Sequence, residues 1–227
     1  MGKGLGRGKG KMKFPTLEEA LETVPKIHGH ICTASYLGTS MGRLAMTHIK
    51  LKRKRDLCVG VEILTCAADG IAAATQCSFG SGRMVFLDHG KFSAIFCNRM
   101  AGEAVRVKCK PDIDREHIAY GKQLDRFYRS LDKVTMEEAL TEKVGLKKIE
   151  DALIEKWDKM SDDEIFAVTE VEINPRDLLY PLDQQYIPDP ITCYSCGDIV
   201  EKSRTIGKEG NRICKICAGE ITIKELE

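Results

Sequence analysis

Hydrophobic and polar positions divide the chain into segments of different period. Thr16-Leu17-Glu18-Glu19 reads as a capping box that opens a short helix ending near Pro25. Apolar and small residues return at helical spacing over 35–46, with Gly38 and Gly42 one turn apart. A glycine costs about 1 kcal/mol inside a helix, so the pair marks a face that meets another backbone closely. The basic run 50–55 reads as a solvated turn. Residues 57–65, rich in Leu, Val and Ile, predict a buried strand that delivers Cys66 to the start of a helix. Stretches 83–88 and 91–97 flank His89-Gly90 and predict a hairpin, and 104–109 a further strand halted by Pro111. Helices are predicted over 115–131, 135–144 and 146–159, the second with its own box at Thr135 and Glu138. Residues 166–173 alternate as a strand does. Trp157, the only tryptophan, reads as a packing anchor. Strands and helices without a regular βαβ repeat predict an α+β fold: a mixed or antiparallel sheet core with packed helices.

The pattern changes at both ends. Before residue 15, lysines and one arginine alternate with glycines and no acidic residue appears, so 1–14 predicts a disordered basic tail. The core runs over 15–175. Pro175, Pro181, Pro188 and Pro190 punctuate a weakly periodic stretch, and 176–190 reads as a linker or arm. Residues 191–227 form a separate small module.

Composition narrows the function classes. The 227 residues carry 35 Lys+Arg against 34 Asp+Glu, so charge favours neither nucleic acid nor an acidic partner. The low aromatic content, 6%, points the same way. No apolar run reaches the roughly 18 residues that a membrane span needs, and the N-terminus lacks the apolar core of a signal peptide. Ten cysteines in such a chain predict a reducing, cytoplasmic setting, with thiols used for metal or chemistry rather than disulfides.

Two regions concentrate that chemistry. Cys193-x-x-Cys196 and Cys214-x-x-Cys217 are separated by 17 residues, the spacing of a four-cysteine zinc site. Each pair can converge on one tetrahedral ion at about 2.3 Å. All four positions are then filled by protein, so the zinc is structural and supplies the folding energy of a module too small to bury its own core. A helix over 218–226 would make it a treble-clef or ribbon-type finger. The second region is His28-Gly29-His30-Ile31-Cys32, two imidazoles and a thiol within five residues, with Gly29 free to bend the backbone between the rings. Cys66 at a helix N-terminus would have its thiolate stabilised by backbone amides. Cys77 follows, but a continuous helix over 66–77 would hold the two Cα atoms about 16 Å apart. Cys77 therefore joins Cys66 at one ion only if that helix is shorter; otherwise it serves elsewhere, such as at a dimer interface.

In their order, these motifs resemble the family named for the E subunit of formylmethanofuran dehydrogenase. Its His-Gly-His-x-Cys motif is matched by His28, Gly29, His30 and Cys32. Its second motif is matched by Cys66-Ala67-Ala68-Asp69 and Thr75-Gln76-Cys77-Ser78, and its Asp-x-Gly-Lys by Asp88-His89-Gly90-Lys91. The chain departs from the family where Thr33-Ala34 follows Cys32 in place of Pro-Gly, at Gln76 where glycine is usual, and at Gly70 where alanine is. The resemblance implies an α+β core, a homodimer, and association with subunits of a molybdenum or tungsten oxidoreductase of one-carbon metabolism, in a methanogenesis-related setting. The resulting reading is a metal-binding accessory protein with structural zinc in the finger and a second transition metal in the core. Candidate core ligands are His28, His30, Cys32, Cys66, Asp69 and Cys77. Two alternatives stand beside it: an enzyme in its own right, with Cys66 as nucleophile and His30 as its base, and a zinc-finger adaptor binding protein or nucleic acid.

Overall fold

The computed structural model describes residues 13–174, 178, 190–202 and 205–219. The chain divides into two compact units, with the boundary between residues 179 and 180. Most of the basic tail, most of the stretch read as a linker, and most of the helix expected over 218–226 lie outside the described residues. No helix among those described is long and apolar enough to cross a membrane.

The first unit is a helical layer packed on a mixed sheet. The capping box at Thr16 and Glu19 opens α1 (Leu17–Leu21) as predicted. Pro25 does not end that helix. It occupies the first turn of α2 (Val24–His28), where its missing amide costs nothing. Next come α3 (Thr33–His48), β1 (Leu57–Val61), α4 (Ala67–Thr75), β2 (Met84–Phe86), β3 (Ser93–Asn98), β4 (Glu103–Cys109) and α5 (Pro111–Ser130). Then follow α6 (Met136–Asp158), α7 (Asp162–Ile165) and β5 (Phe166–Glu172). Pro111 therefore begins a helix as well as ending a strand. Residues 136–158 form one continuous helix through Gly145, not two, since nothing lies within 4 Å of that glycine to force a break.

The sheet order is β2-β1-β3-β4-β5. β1 pairs with β2 in parallel, and the other neighbours are antiparallel. The hairpin expected around His89-Gly90 does not form. Residues 84–86 run alongside β1, and the amides of His89 and Gly90 donate to the Glu62 carbonyl at 3.1 and 2.9 Å. The turn is present, with Gly90 at φ +65°, but it folds over the end of β1 instead of joining two paired strands.

One face of the sheet buries Leu57, Val59, Phe96 and Val107 against α3 and α4, and Trp157 closes the same core with no exposed surface. The opposite face carries Cys58, Cys97 and Val85, covered by Leu178, which lies within the stretch read as a linker. At that face's end, Glu62 is buried and bound by Arg106 through two hydrogen bonds of 2.6 Å.

The closest helix contact positions the chemistry. α3 and α4 cross through their glycines: a Cβ on Gly38 would lie 2.2 Å from the Ala67 carbonyl oxygen, and one on Gly70 only 2.1 Å from that of Ser35. Glycine at 70 thus lets the N-terminal ends of the two helices approach. Those ends carry Cys32 and Cys66 as N-cap residues.

The second unit contains two small antiparallel pairs, β6 (Pro190–Thr192) with β7 (Ile199–Glu201), and β8 (Thr205–Ile206) with β9 (Ile213–Cys214).

Candidate metal centres

In the second unit each Cys-x-x-Cys pair sits in a tight turn. Gly197 at φ +80° and Gly219 at φ +76° take the left-handed conformation that closes these turns. The amide of Cys214 donates to the Cys193 sulfur at 3.3 Å and that of Cys217 to the Cys214 sulfur at 3.4 Å. Amides of Cys196 and Cys214 pull the Cys193 thiol down to a pKa of about 6. The sulfurs of Cys193, Cys196, Cys214 and Cys217 all lie within 4.8 Å of one another. Four soft donors so gathered fit a closed tetrahedral site.

The core cluster is built from three chain segments. α2 ends at His28, and Gly29 at φ +89° turns the chain toward Cys32. Cys32 caps α3, its sulfur accepting from the Ser35 amide at 3.4 Å while the Cys32 amide donates to the Ser35 hydroxyl at 2.9 Å. Cys66 arrives at the head of α4 after β1, as the sequence predicts. One ligand atom from each of His28, Cys32 and Cys66 lies within 4.8 Å of the others.

Asp69 fixes the histidine. Its carboxylate takes a 2.8 Å hydrogen bond from His28 Nδ1, which leaves the Nε2 lone pair directed to the cluster, 4.0 Å from the Cys32 sulfur. Donors of a tetrahedral zinc at ordinary bond lengths sit about 3.6 Å apart, so a small contraction seats an ion. A carboxylate holding a ligand histidine in one tautomer is the usual support of such a site. One imidazole and two thiols suit zinc or a similar transition metal, and three protein donors leave such an ion one short of four.

The two thiols are unequal. Cys32 is held down to about 4 by the hydrogen bond from Cys66, with the Ser35 contacts and the His28 ring adding to it against the cost of burial. Cys66 is pushed well up by the same shared proton and by burial. The activated thiol expected at Cys66 is therefore at Cys32, which heads the longer helix of 16 residues and accepts its amide, whereas Cys66 makes no side-chain cap.

The remaining candidates fall around this group. His30 is exposed, its ring 4.9 Å from that of His28 and tilted by 34°, outside the three-donor set. Asp69 supports the set by orienting His28. Cys77 stands at the far end of α4, fully buried, with its sulfur 3.8 Å from the Leu57 carbonyl and 3.5 Å from an Arg83 nitrogen. The helix is shorter than a continuous 66–77, but its nine residues still separate the two cysteines by more than about 13 Å at about 1.5 Å per residue, and Cys77 lies outside the three-donor set. Gln76, where the family has glycine, caps α4 at φ +59°, a conformation glycine takes without strain.

The cluster lies in a cleft of about 690 Å³ walled by α5 and α6. Sequence reasoning missed this wall. His117 lies beside the cluster, its Nδ1 3.0 Å from the Thr33 hydroxyl and its ring edge-on to Phe92. Burial holds its pKa below that of a free histidine. The signal was its place on the apolar side of α5, since Ile113, His117, Tyr120, Leu124 and Phe127 recur at helical spacing. Deeper polar groups are paired: Glu150 is buried with Lys147 at 2.9 Å, and burial followed by the Glu150 carboxylate raises the Tyr120 phenol.

A family profile described as "FmdE, Molybdenum formylmethanofuran dehydrogenase operon" matches residues 27–167, which contain the whole cluster and its cleft. The chain belongs to the FmdE family. Among solved structures it is similar to a tungsten formylmethanofuran dehydrogenase FmdE-like protein from Syntrophus aciditrophicus. The TM-score is 0.57 at 20% identity, covering 94% of this chain and all of that one, so the likeness is one of fold. Among curated proteins, a probable S-adenosyl-L-methionine-binding protein of Archaeoglobus fulgidus is 26% identical over 215 residues. The match takes in 89% of this FmdE-family chain but only 53% of the relative, so the chain spans about half that protein's length.

Proposed function

We infer that this chain is a metal-binding accessory protein of the formylmethanofuran dehydrogenase type, holding two ions in separate places. The finger cysteines bind structural zinc. The core binds a second transition metal through His28 Nε2, Cys32 and Cys66, with Asp69 orienting the histidine. The observation that carries this reading is the 2.8 Å Asp69–His28 contact, which turns the free imidazole nitrogen toward two converging sulfurs. Family membership supports the metal-associated setting; the proposed role is that of a cytoplasmic homodimer working beside subunits of a molybdenum or tungsten oxidoreductase.

Within the site, a bound ion would supply Lewis acidity, and the protein's own residues define what it can act on. Asp69 keeps the His28 proton on Nδ1, α3 stabilises the Cys32 thiolate, and the α5–α6 wall limits the access of water. Metal analysis of the full chain tests the reading. Wild type should carry two ions, Cys66→Ser and His28→Ala one each, and Cys214→Ser one. Cys66→Ser retaining both ions would remove the core site.

A further inference from the structure

The cleft over the core cluster has a direction, and its chemistry changes along that direction. α5 and α6 run antiparallel: Glu116 meets Lys156 and Trp157 at one level, and Tyr120 meets Glu150 at the next. His117 marks the inner end, through its contact with Thr33 beside Cys32. Tyr128 marks the outer end, eleven residues and about 16 Å further along the helix. Between them Leu124, Phe127 and Leu146 form an apolar wall.

Charge is distributed unevenly along the same path. At the inner end, two thiolates would cancel the charge of a bound divalent ion, and with the Asp69 carboxylate behind His28 that group of ligands and support would carry a net negative charge. Lys147 is on the wall but is paired with Glu150 and Asp151, both at 2.9 Å. Lys143, which forms no ion pair among the described residues, lies with Phe127 and Tyr128 at the outer end. Among the described residues, therefore, no unpaired lysine or arginine lines the metal corner to receive an anionic head group. A carboxylate or phosphate there would meet net negative charge in a partly desolvated site, where such repulsion is weakly screened.

We propose that the cleft takes a ligand with a neutral oxygen donor, a carbonyl or an alcohol, at the metal corner and an aromatic or aliphatic body lying along Leu124, Phe127 and Leu146. This rests on the core metal reading above and adds the class of molecule that the site accepts. His117 stands beside the head group as an uncharged hydrogen-bonding partner, which also suits a carbonyl or hydroxyl.

The test uses the full chain with Cys196→Ser and Cys214→Ser, loaded with Co²⁺, so that the visible spectrum reports the core alone. Phenylacetamide and phenylacetate share a shape and differ in the charge of the head. Phenylacetamide should shift the cobalt ligand-field bands, and phenylacetate should need about tenfold or more higher concentration for the same shift. Leu124→Ser should weaken the amide several-fold without altering the spectrum of the ligand-free protein. In the wild-type chain the same titration, read as a difference spectrum, should agree, because the four-sulfur finger has no position for a ligand. Equal or tighter response to phenylacetate, no response to either compound, or indifference to Leu124→Ser overturns the proposal while leaving the metal site standing. Loss of the thiolate-to-cobalt absorption before any ligand is added overturns the metal reading itself.

Discussion

Gly70→Ala is the substitution that best probes how the site is assembled. The added methyl would stand 2.1 Å from the Ser35 carbonyl oxygen and 2.7 Å from the Thr39 amide nitrogen, both backbone atoms of a helix that cannot rotate aside. Overpacking of this kind costs about 1–3 kcal/mol, and contact with rigid backbone puts this case near the upper figure. Alanine returns about 1 kcal/mol of helix propensity, leaving a net loss of about 2 kcal/mol. Gly145→Ala is the control. It also lies within a helix, meets nothing within 4 Å, and should stabilise by up to about 1 kcal/mol. Urea unfolding followed by tryptophan fluorescence reads the first unit specifically, because the sole tryptophan, Trp157, is buried there. Since α3 and α4 present Cys32 and Cys66, Gly70→Ala should also weaken metal retention, whereas Gly145→Ala should not. Equal stability of Gly70→Ala and wild type would show that the interhelical contact yields freely and does not set the thiol spacing.

Two further outcomes follow from the electrostatics. In metal-free protein, iodoacetamide at neutral pH should label Cys32 first and Cys66 later, read by peptide mapping; the reverse order would contradict the proton sharing between them. For the buried Glu62, desolvation raises the carboxyl pKa, but Arg106, Ser93 and His89 outweigh it and hold the folded value below the ordinary one. Its contribution to stability is thus complete above the unfolded pKa of about 4.3 and is lost as pH falls through the lower folded value. Arg106→Leu should cost about 3 kcal/mol at pH 7, the low end for a broken buried pair, by leaving the buried carboxylate without its cation and with only Ser93 and His89 beside it. The deficit should narrow toward pH 4 as Glu62 protonates, and a pH-independent deficit would refute the assignment.

Local signals carried much of the architecture. The boxes at Thr16 and Thr135 were legible because their partners lie three residues away, and Cys66 was placed at the head of a helix following a strand, although that strand ends at Val61 and not at 65, with four non-strand residues between. The β1–β2 pairing was not legible: a three-residue strand has no periodicity of its own, and the turn at Gly90 looks alike whether it joins paired strands or caps a neighbour. The continuous helix through Gly145 was misread for a related reason, since glycine signals a break that tertiary packing did not impose. At the site, residue types and spacing joined the His28–His30 loop with Cys66 and offered Cys32, Asp69 and Cys77 beside them; the selection of His28, Cys32 and Cys66 comes from the structure. They could not rank the candidates, because Asp69 and His30 are metal-ligating residue types too and only the fold sets Asp69 against His28 Nδ1 and leaves His30 outside the three-donor set. His117 stayed hidden because its partner Thr33 is 84 positions away.

X-ray absorption at the metal edge, on the full chain with Cys196→Ser and Cys214→Ser, tests the central claim most directly. The account predicts one ion per chain with two sulfur neighbours at about 2.3 Å and nitrogen or oxygen at about 2.0–2.1 Å, and loss of that ion when Cys66→Ser is added. An empty core, or a shell without sulfur, would contradict it.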